Sequence, residues 1–68
     1  MSGSDVLEMQ KRLNQVWGFR VAEDGSYDSD DESMITNYQI YYSVSGDQKG
    51  TYGSTTRRDL EGRTRNPK

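Results

Sequence analysis

Apolar side chains recur at three- and four-residue intervals in two stretches, and segments rich in glycine and serine separate these from each other and from a third, largely polar stretch that ends on Leu60. Val6, Met9, Leu13, Val16 and Trp17 make the first stretch and predict an amphipathic helix over Asp5–Trp17. Ser4 or Asp5 can cap it, Asp5 and Glu8 have capping-box spacing, and Gly18 stops it. Phe19 to Asp28 then reads as a loop, with Phe19 and Val21 folded back onto the core. A second helix is expected from Ser29, carrying Met34, Ile35, Tyr38, Tyr41 and Tyr42 on one side. Ser29 and Glu32 form a candidate capping box, and the acids around them suit the positive end of a helix dipole. Val44 closes that packed face, although the run from Ile40 to Val44 has strand character and can end the helix early. The third helix is short, Ser54–Leu60, with Gly62 marking its end.

Between the helices one device is written twice, twenty-five residues apart: Asp24-Gly25-Ser26-Tyr27-Asp28-Ser29 and Lys49-Gly50-Thr51-Tyr52-Gly53-Ser54. Glycine supplies turn geometry, tyrosine can tuck under the turn, and serine can accept a free helix N–H. Each copy therefore predicts an anchored turn that launches a helix. The expected architecture is all-α: a small three-helix bundle with two turn–helix repeats over residues 5–61. Residues 1–4 are expected to be a disordered N-terminus and 62–68 a flexible basic tail.

Composition narrows the chemistry. The 68 residues are 29% hydrophobic with a mean hydropathy of −1.12, so the core must be thin. Five tyrosines supply large buried area with a polar handle. There is no cysteine and no histidine, which removes disulfides, the usual zinc ligands and thiol or imidazole catalysis. A carboxylate pair would need a desolvating cleft that so short a chain can hardly build, so no enzyme activity and no catalytic residue is expected. No apolar run approaches a membrane span, and the N-terminus lacks the apolar core of a signal peptide. The expectation is no membrane partner, with the cell wall reached only through a fusion partner, lysis or a virion.

The net charge of −2 conceals an asymmetry. Residues 23–32 carry six acids and no base, whereas residues 49–68 carry six bases against Asp59 and Glu61. Two solvated faces account for this most simply; contact with another copy or a polar partner is the sharper alternative. An acidic chain of pI 4.9 is a poor match for phosphate backbones, so nucleic acid is not expected as a partner. Asp24, Ser26, Asp28 and Asp30 faintly resemble a calcium loop, but Ser29 and Ile35 stand where an EF-hand needs glycine and a bidentate acid. The glycines of residues 46–53 lack the Gly-Lys-Ser/Thr of a phosphate loop. No metal and no cofactor is expected.

Taken in order, the fragments resemble the small helical peptidoglycan-binding domain found at the ends of many cell-wall hydrolases. The family's V-x-x-L-Q-x-x-L followed by Gly-aromatic is matched by Val6-Leu7-Glu8-Met9-Gln10-Lys11-Arg12-Leu13 and then Gly18-Phe19. Its turn D-G-x-F-G-P-x-T is matched by Asp24 to Asp31, with Asp28 in place of glycine and Asp31 in place of threonine. Its A-V-x-x-F-Q is matched by Met34 to Gln39, and its closing G-x-V-x-x-x-T-x-x-x-L by Gly50 to Leu60. The resemblance spans residues 5–60, with a second loop about two residues longer than the family's. Gln10 and Gln39 match family glutamines; the simpler expectation for both is that their amides bond to loop backbone, and ligand contact is the alternative.

The resemblance implies a non-catalytic recognition module that binds bacterial cell-wall polymer. Tyrosine can stack on sugar rings and arginine can clamp a carboxylate. Tyr41, Tyr42, Arg57 and Arg58, expected at the junction of the second and third helices, are the candidate ligand-binding residues. The competing expectation is a structural protein–protein module that reuses the fold, such as a decoration protein on a phage capsid or tail.

Overall fold

All three expected helices form in the computed structural model, which describes residues 3–67. The helices are α1 (Gly3–Leu13), α2 (Ser29–Tyr41) and α3 (Ser54–Arg63), and there is no strand among the described residues. The chain is thus an all-α three-helix bundle. Of the N-terminal segment expected to be disordered, Met1 and Ser2 lie outside the described residues, as does Lys68 of the tail; Gly3 and Ser4 already belong to α1.

The ends of the helices differ from the expectation for identifiable reasons. α1 stops at Leu13 rather than Trp17 because the backbone tightens into three-residue turns, Gln15 N–H to Arg12 C=O and Val16 N–H to Leu13 C=O, both 3.0 Å. Gly18 follows at φ +91°. This winding keeps Val16 in the core but turns Trp17 outward, 94% exposed, so Trp17 does not share the packed face its spacing implied. α2 begins where expected, but its cap is Asp28, one residue before the expected Ser29. Asp28 Oδ1 accepts from Asp30 and Asp31 N–H, and Asp31 Oδ2 accepts the Asp28 N–H at 3.0 Å, a complete capping box. At its other end α2 closes in a Schellman motif: Val44 N–H bonds Gln39 C=O at 2.8 Å and Ser43 N–H bonds Ile40 C=O, with Ser43 at φ +55°. That left-handed residue turns Val44 into the core instead of extending the helix. α3 runs past Leu60 and through Gly62 to Arg63.

The core is a single cluster. Val6, Met9 and Leu13 come from α1, Ile35 and Tyr38 from α2, Leu60 from α3, and Val16, Val21 and Val44 from the connections. Phe19, Tyr27, Met34, Tyr42 and Tyr52 pack around it, half-buried. The described residues have a radius of gyration of 10.5 Å, against about 11 Å expected for a compact chain of this length. A thin core nevertheless closes because its polar contents are paired: among the described residues no buried side-chain nitrogen or oxygen lacks a partner.

The two glutamines account for much of that pairing. Gln10, fully buried on α1, accepts at Oε1 from Asp24 and Gly25 N–H, 3.0 and 2.9 Å. Its amide donates to Ser26 C=O, Asp24 Oδ1 and Asp31 Oδ1. Gln39 on α2 repeats this against the second turn: Oε1 accepts from Gly50 N–H at 2.8 Å, and the amide donates to Thr51 C=O, Gln48 C=O and Thr56 Oγ1. The partners Gly25, Ser26 and Asp31 become Gly50, Thr51 and Thr56 in the second copy, each twenty-five residues on. Backbone bonding by both amides is as the sequence led one to expect. The repeated unit is therefore larger than the turn: a helix whose glutamine saturates the next turn, followed by the helix that turn starts.

The copies differ at one capping position. Asp28 caps α2, whereas its counterpart Gly53 has no side chain with which to cap α3. Asp47 reaches in from the longer second loop and accepts the Thr56 N–H at 2.6 Å. A Cβ on Gly53 would lie 2.3 Å from Asp47 Oδ1, so the glycine makes room for the carboxylate that replaces it as cap.

Candidate functional site

Tyr38, Tyr41 and Tyr42 lie at the end of α2, and the loop after α1 brings Phe19 onto them. Phe19 meets Tyr38 and Tyr41 edge-on at centroid separations of 5.8 and 6.3 Å, and Tyr42 lies 4.8 Å from both Tyr38 and Tyr41. Tyr38 is the buried foot of this cluster, while Tyr41 is 72% exposed and Tyr42 half-buried. Burial, and then the neighbouring Asp59 carboxylate, push the Tyr38 phenol well above its usual range.

The last turn of α3 supplies the charge. Tyr38 donates its hydroxyl to Asp59 Oδ1, and Arg63 Nε donates to the same oxygen at 2.7 Å. Desolvation would raise the Asp59 carboxyl, but the bonds from Arg63 and Tyr38 and the Arg63 charge outweigh it and hold the carboxyl below its usual range. So held, the Arg63 guanidinium carbon lies 3.9 Å from the centre of the Tyr42 ring. The result is a half-open aromatic surface with an arginine laid across one ring and Tyr41 standing out beside it.

Of the four candidate residues, Tyr41 and Tyr42 are brought together. Arg57 and Arg58 are both exposed on α3, but among the described residues neither makes a hydrogen bond, ion pair or ring contact with the tyrosines. Arg57 pairs with Glu61 at 2.9 Å. At about 100° per residue, Arg57 and Arg58 lie roughly 120° and 140° around the helix from Arg63. Arg63 is the cation that reaches the cluster; a helix that stops at Gly62 would place it in the tail, whereas α3 continues to Arg63. Its spacing of four from Asp59 is the signal that would have found it.

The charged tail is engaged as well. Arg12 donates to Thr64 Oγ1 at 3.0 Å, and Gln15 pairs with the backbone of Arg65 in both directions, 2.8 Å each. These bonds hold residues 64–65 against the end of α1, next to Trp17 in sequence. Part of the acidic stretch is internal too: Asp31 is buried against Gln10, and desolvation raises its carboxyl.

A second concavity lies along the same helix. An open hollow of about 480 Å³ is lined by Arg20, Val21 and Ala22 on one side and Asp30, Ser33 and Met34 on the other. Asn14 fixes its first wall, donating to Val21 C=O at 2.9 Å and accepting Val21 N–H at 2.7 Å. Among the described residues no group of three or more carboxylates converges as a metal site, and no helix is long and apolar enough to cross a membrane.

No protein-family model, curated protein or solved structure matches this chain.

Proposed function

We propose that this chain is a non-catalytic recognition module for bacterial cell-wall polymer, with Tyr41, Tyr42 and Arg63 as its contact surface. The observation that carries the reading is the exposed tyrosine beside an arginine already oriented by Asp59 and Tyr42. Sugar rings present C–H faces that stack on such rings, and stem-peptide carboxylates meet a guanidinium whose position is fixed in advance. The ordered motifs from Val6 to Leu60 support the same reading through their resemblance to peptidoglycan-binding domains. Arg57 and Arg58 add positive charge around α3 without joining the aromatic cluster.

A structural protein–protein role, such as a virion decoration protein, is the second reading. It is favoured by Trp17, which is 94% exposed on a chain with little apolar surface to spare.

Co-sedimentation with purified peptidoglycan sacculi at physiological salt separates the two. Saturable pelleting that Tyr41→Ala weakens about tenfold, with Trp17→Ala leaving it unchanged, is the expected result; one exposed aromatic contact accounts for about this factor. A folded chain that stays in the supernatant overturns the wall reading and directs the search to a protein lattice that protects Trp17.

A further inference from the structure

We propose that the hollow between residues 20–22 and the start of α2 binds a short peptide carrying a free amino group, a free carboxylate and small aliphatic side chains. Its volume of about 480 Å³ falls within the roughly 300–1,000 Å³ of small-molecule sites. Its walls carry opposite charges, Arg20 on the loop and Asp30 on the helix. Among the described residues neither side chain makes a hydrogen bond or ion pair. Arg12, Arg57 and Arg63, by contrast, are each paired within their own helix.

An arginine and an aspartate that line one hollow without meeting select a ligand bearing both complementary charges. Arg20 takes the carboxylate through its planar fork, and Asp30 takes the ammonium. A phosphate or other simple anion would face the Asp30 carboxylate, and a neutral glycan would cover both charges without pairing either. Val21, Ala22 and Met34 leave apolar contact for methyl-sized side chains, with the flexible thioether adjusting to them, and the Ser33 hydroxyl is available to a peptide N–H or C=O.

The site is held in shape from both sides. Asn14 clamps Val21 at both backbone polar groups, which fixes Arg20 and Ala22 as its neighbours. Asp30, Ser33 and Met34 are three and four residues apart on α2 and share one face. Asp28 and Asp31 complete the capping box, so the Asp30 carboxylate is not spent on the helix end. The hollow shares no residue with the Tyr41–Tyr42–Arg63 surface, so its occupancy stands or falls independently of sacculus binding.

Titration of the isotope-labelled full chain with trialanine, followed by backbone amide NMR, tests this directly. Saturable shifts centred on residues 20–22 and 30–34 are expected. Affinity should fall about fivefold in Arg20→Gln and in Asp30→Asn, the scale of an exposed charge pair. Capping the peptide as N-acetyl-trialanine amide should abolish the effect of both variants. The proposal is overturned by the absence of shifts, by shifts centred on the tyrosines, or by equal binding of the capped peptide. Free alanine binding as tightly as trialanine would also overturn it, replacing a peptide site with an amino-acid site.

Discussion

Gln39 illustrates how much a single side chain carries in so small a molecule. Its amide satisfies two carbonyls and a hydroxyl, and its carbonyl satisfies the Gly50 N–H, all at the turn that starts α3. Gly50 itself sits at φ +86°, with Glu32 Cγ 2.9 Å from where a Cβ would lie, so both the backbone and the space favour glycine there. Gln39→Leu keeps the volume and removes every one of these bonds, leaving buried backbone groups unpaired. The expected cost is about 2–4 kcal/mol, read as a fall in thermal midpoint by circular dichroism. A variant that melts with the wild type would mean that water replaces the amide. The presence of Gln10 and Gln39 behind core residues was legible in the sequence; their use of matched partners in two successive turns was not, because it depends on which loop atoms come within reach.

Among the elements, α3 is the least self-sufficient. It is ten residues long, its own cap position is glycine, and its first turn has no acid. The capping carboxylate comes from Asp47 in the preceding loop, and the backbone bond from Thr56 holds that carboxyl below its usual range. Gly53→Ala places a methyl group where Asp47 sits. It should lower the thermal midpoint in the wild type but have little effect in an Asp47→Ala background, where the carboxylate is already absent. Equal losses in both backgrounds, measured by a double-mutant cycle, would rule out this steric coupling. The turn–helix repeat was visible as a pattern of glycine, tyrosine and serine. The borrowed cap was invisible, because it joins residues nine apart through a loop whose path no periodicity specifies.

At the scale of the whole molecule, stability depends on pH at both extremes. Asp24, Asp47 and Asp59 have carboxyl groups held below the ordinary aspartate value of 3.8 by the hydrogen bonds they accept. Their stabilising contribution is present above about pH 4 and is lost as the pH falls through their lowered folded values. Asp31 opposes them: its raised carboxyl makes the folded state hold a proton longer than the unfolded chain, so its contribution weakens as the pH rises just above 3.8. With three groups against one, melting temperature should drop on acidification below about pH 4, and Asp47→Asn should flatten that limb. In alkali the sign reverses. Burial raises the Tyr27 phenol from 10.0 to about 12 and moves Tyr38 and Tyr52 the same way. Stability should hold to pH 10 and fall between 10 and 12, where the unfolded chain releases protons that the folded one retains. In a Tyr41→Phe, Tyr42→Phe background, tyrosinate absorbance that rises near pH 10 without loss of stability would contradict the burial of the three remaining rings.

The sequence by itself determined the number of helices, the core positions Val6, Met9 and Leu13 of α1 and Ile35 and Tyr38 of α2, and the two turns between the helices, since these follow from local periodicity, glycine placement and capping chemistry. It also set the identities of Tyr41 and Tyr42 as an aromatic pair at the end of α2. The tertiary structure decided which cation joins them. A helix carried through Gly62 brings Arg63, rather than Arg57 or Arg58, to the Tyr42 ring. It likewise decided that Trp17 faces solvent, because α1 ends four residues earlier than its apolar spacing suggests. The hollow between Arg20 and Asp30 lies where the loop that Asn14 holds at Val21 passes beside α2. Each of these outcomes depends on how a chain segment ends or folds back, which the spacing of apolar residues alone does not encode.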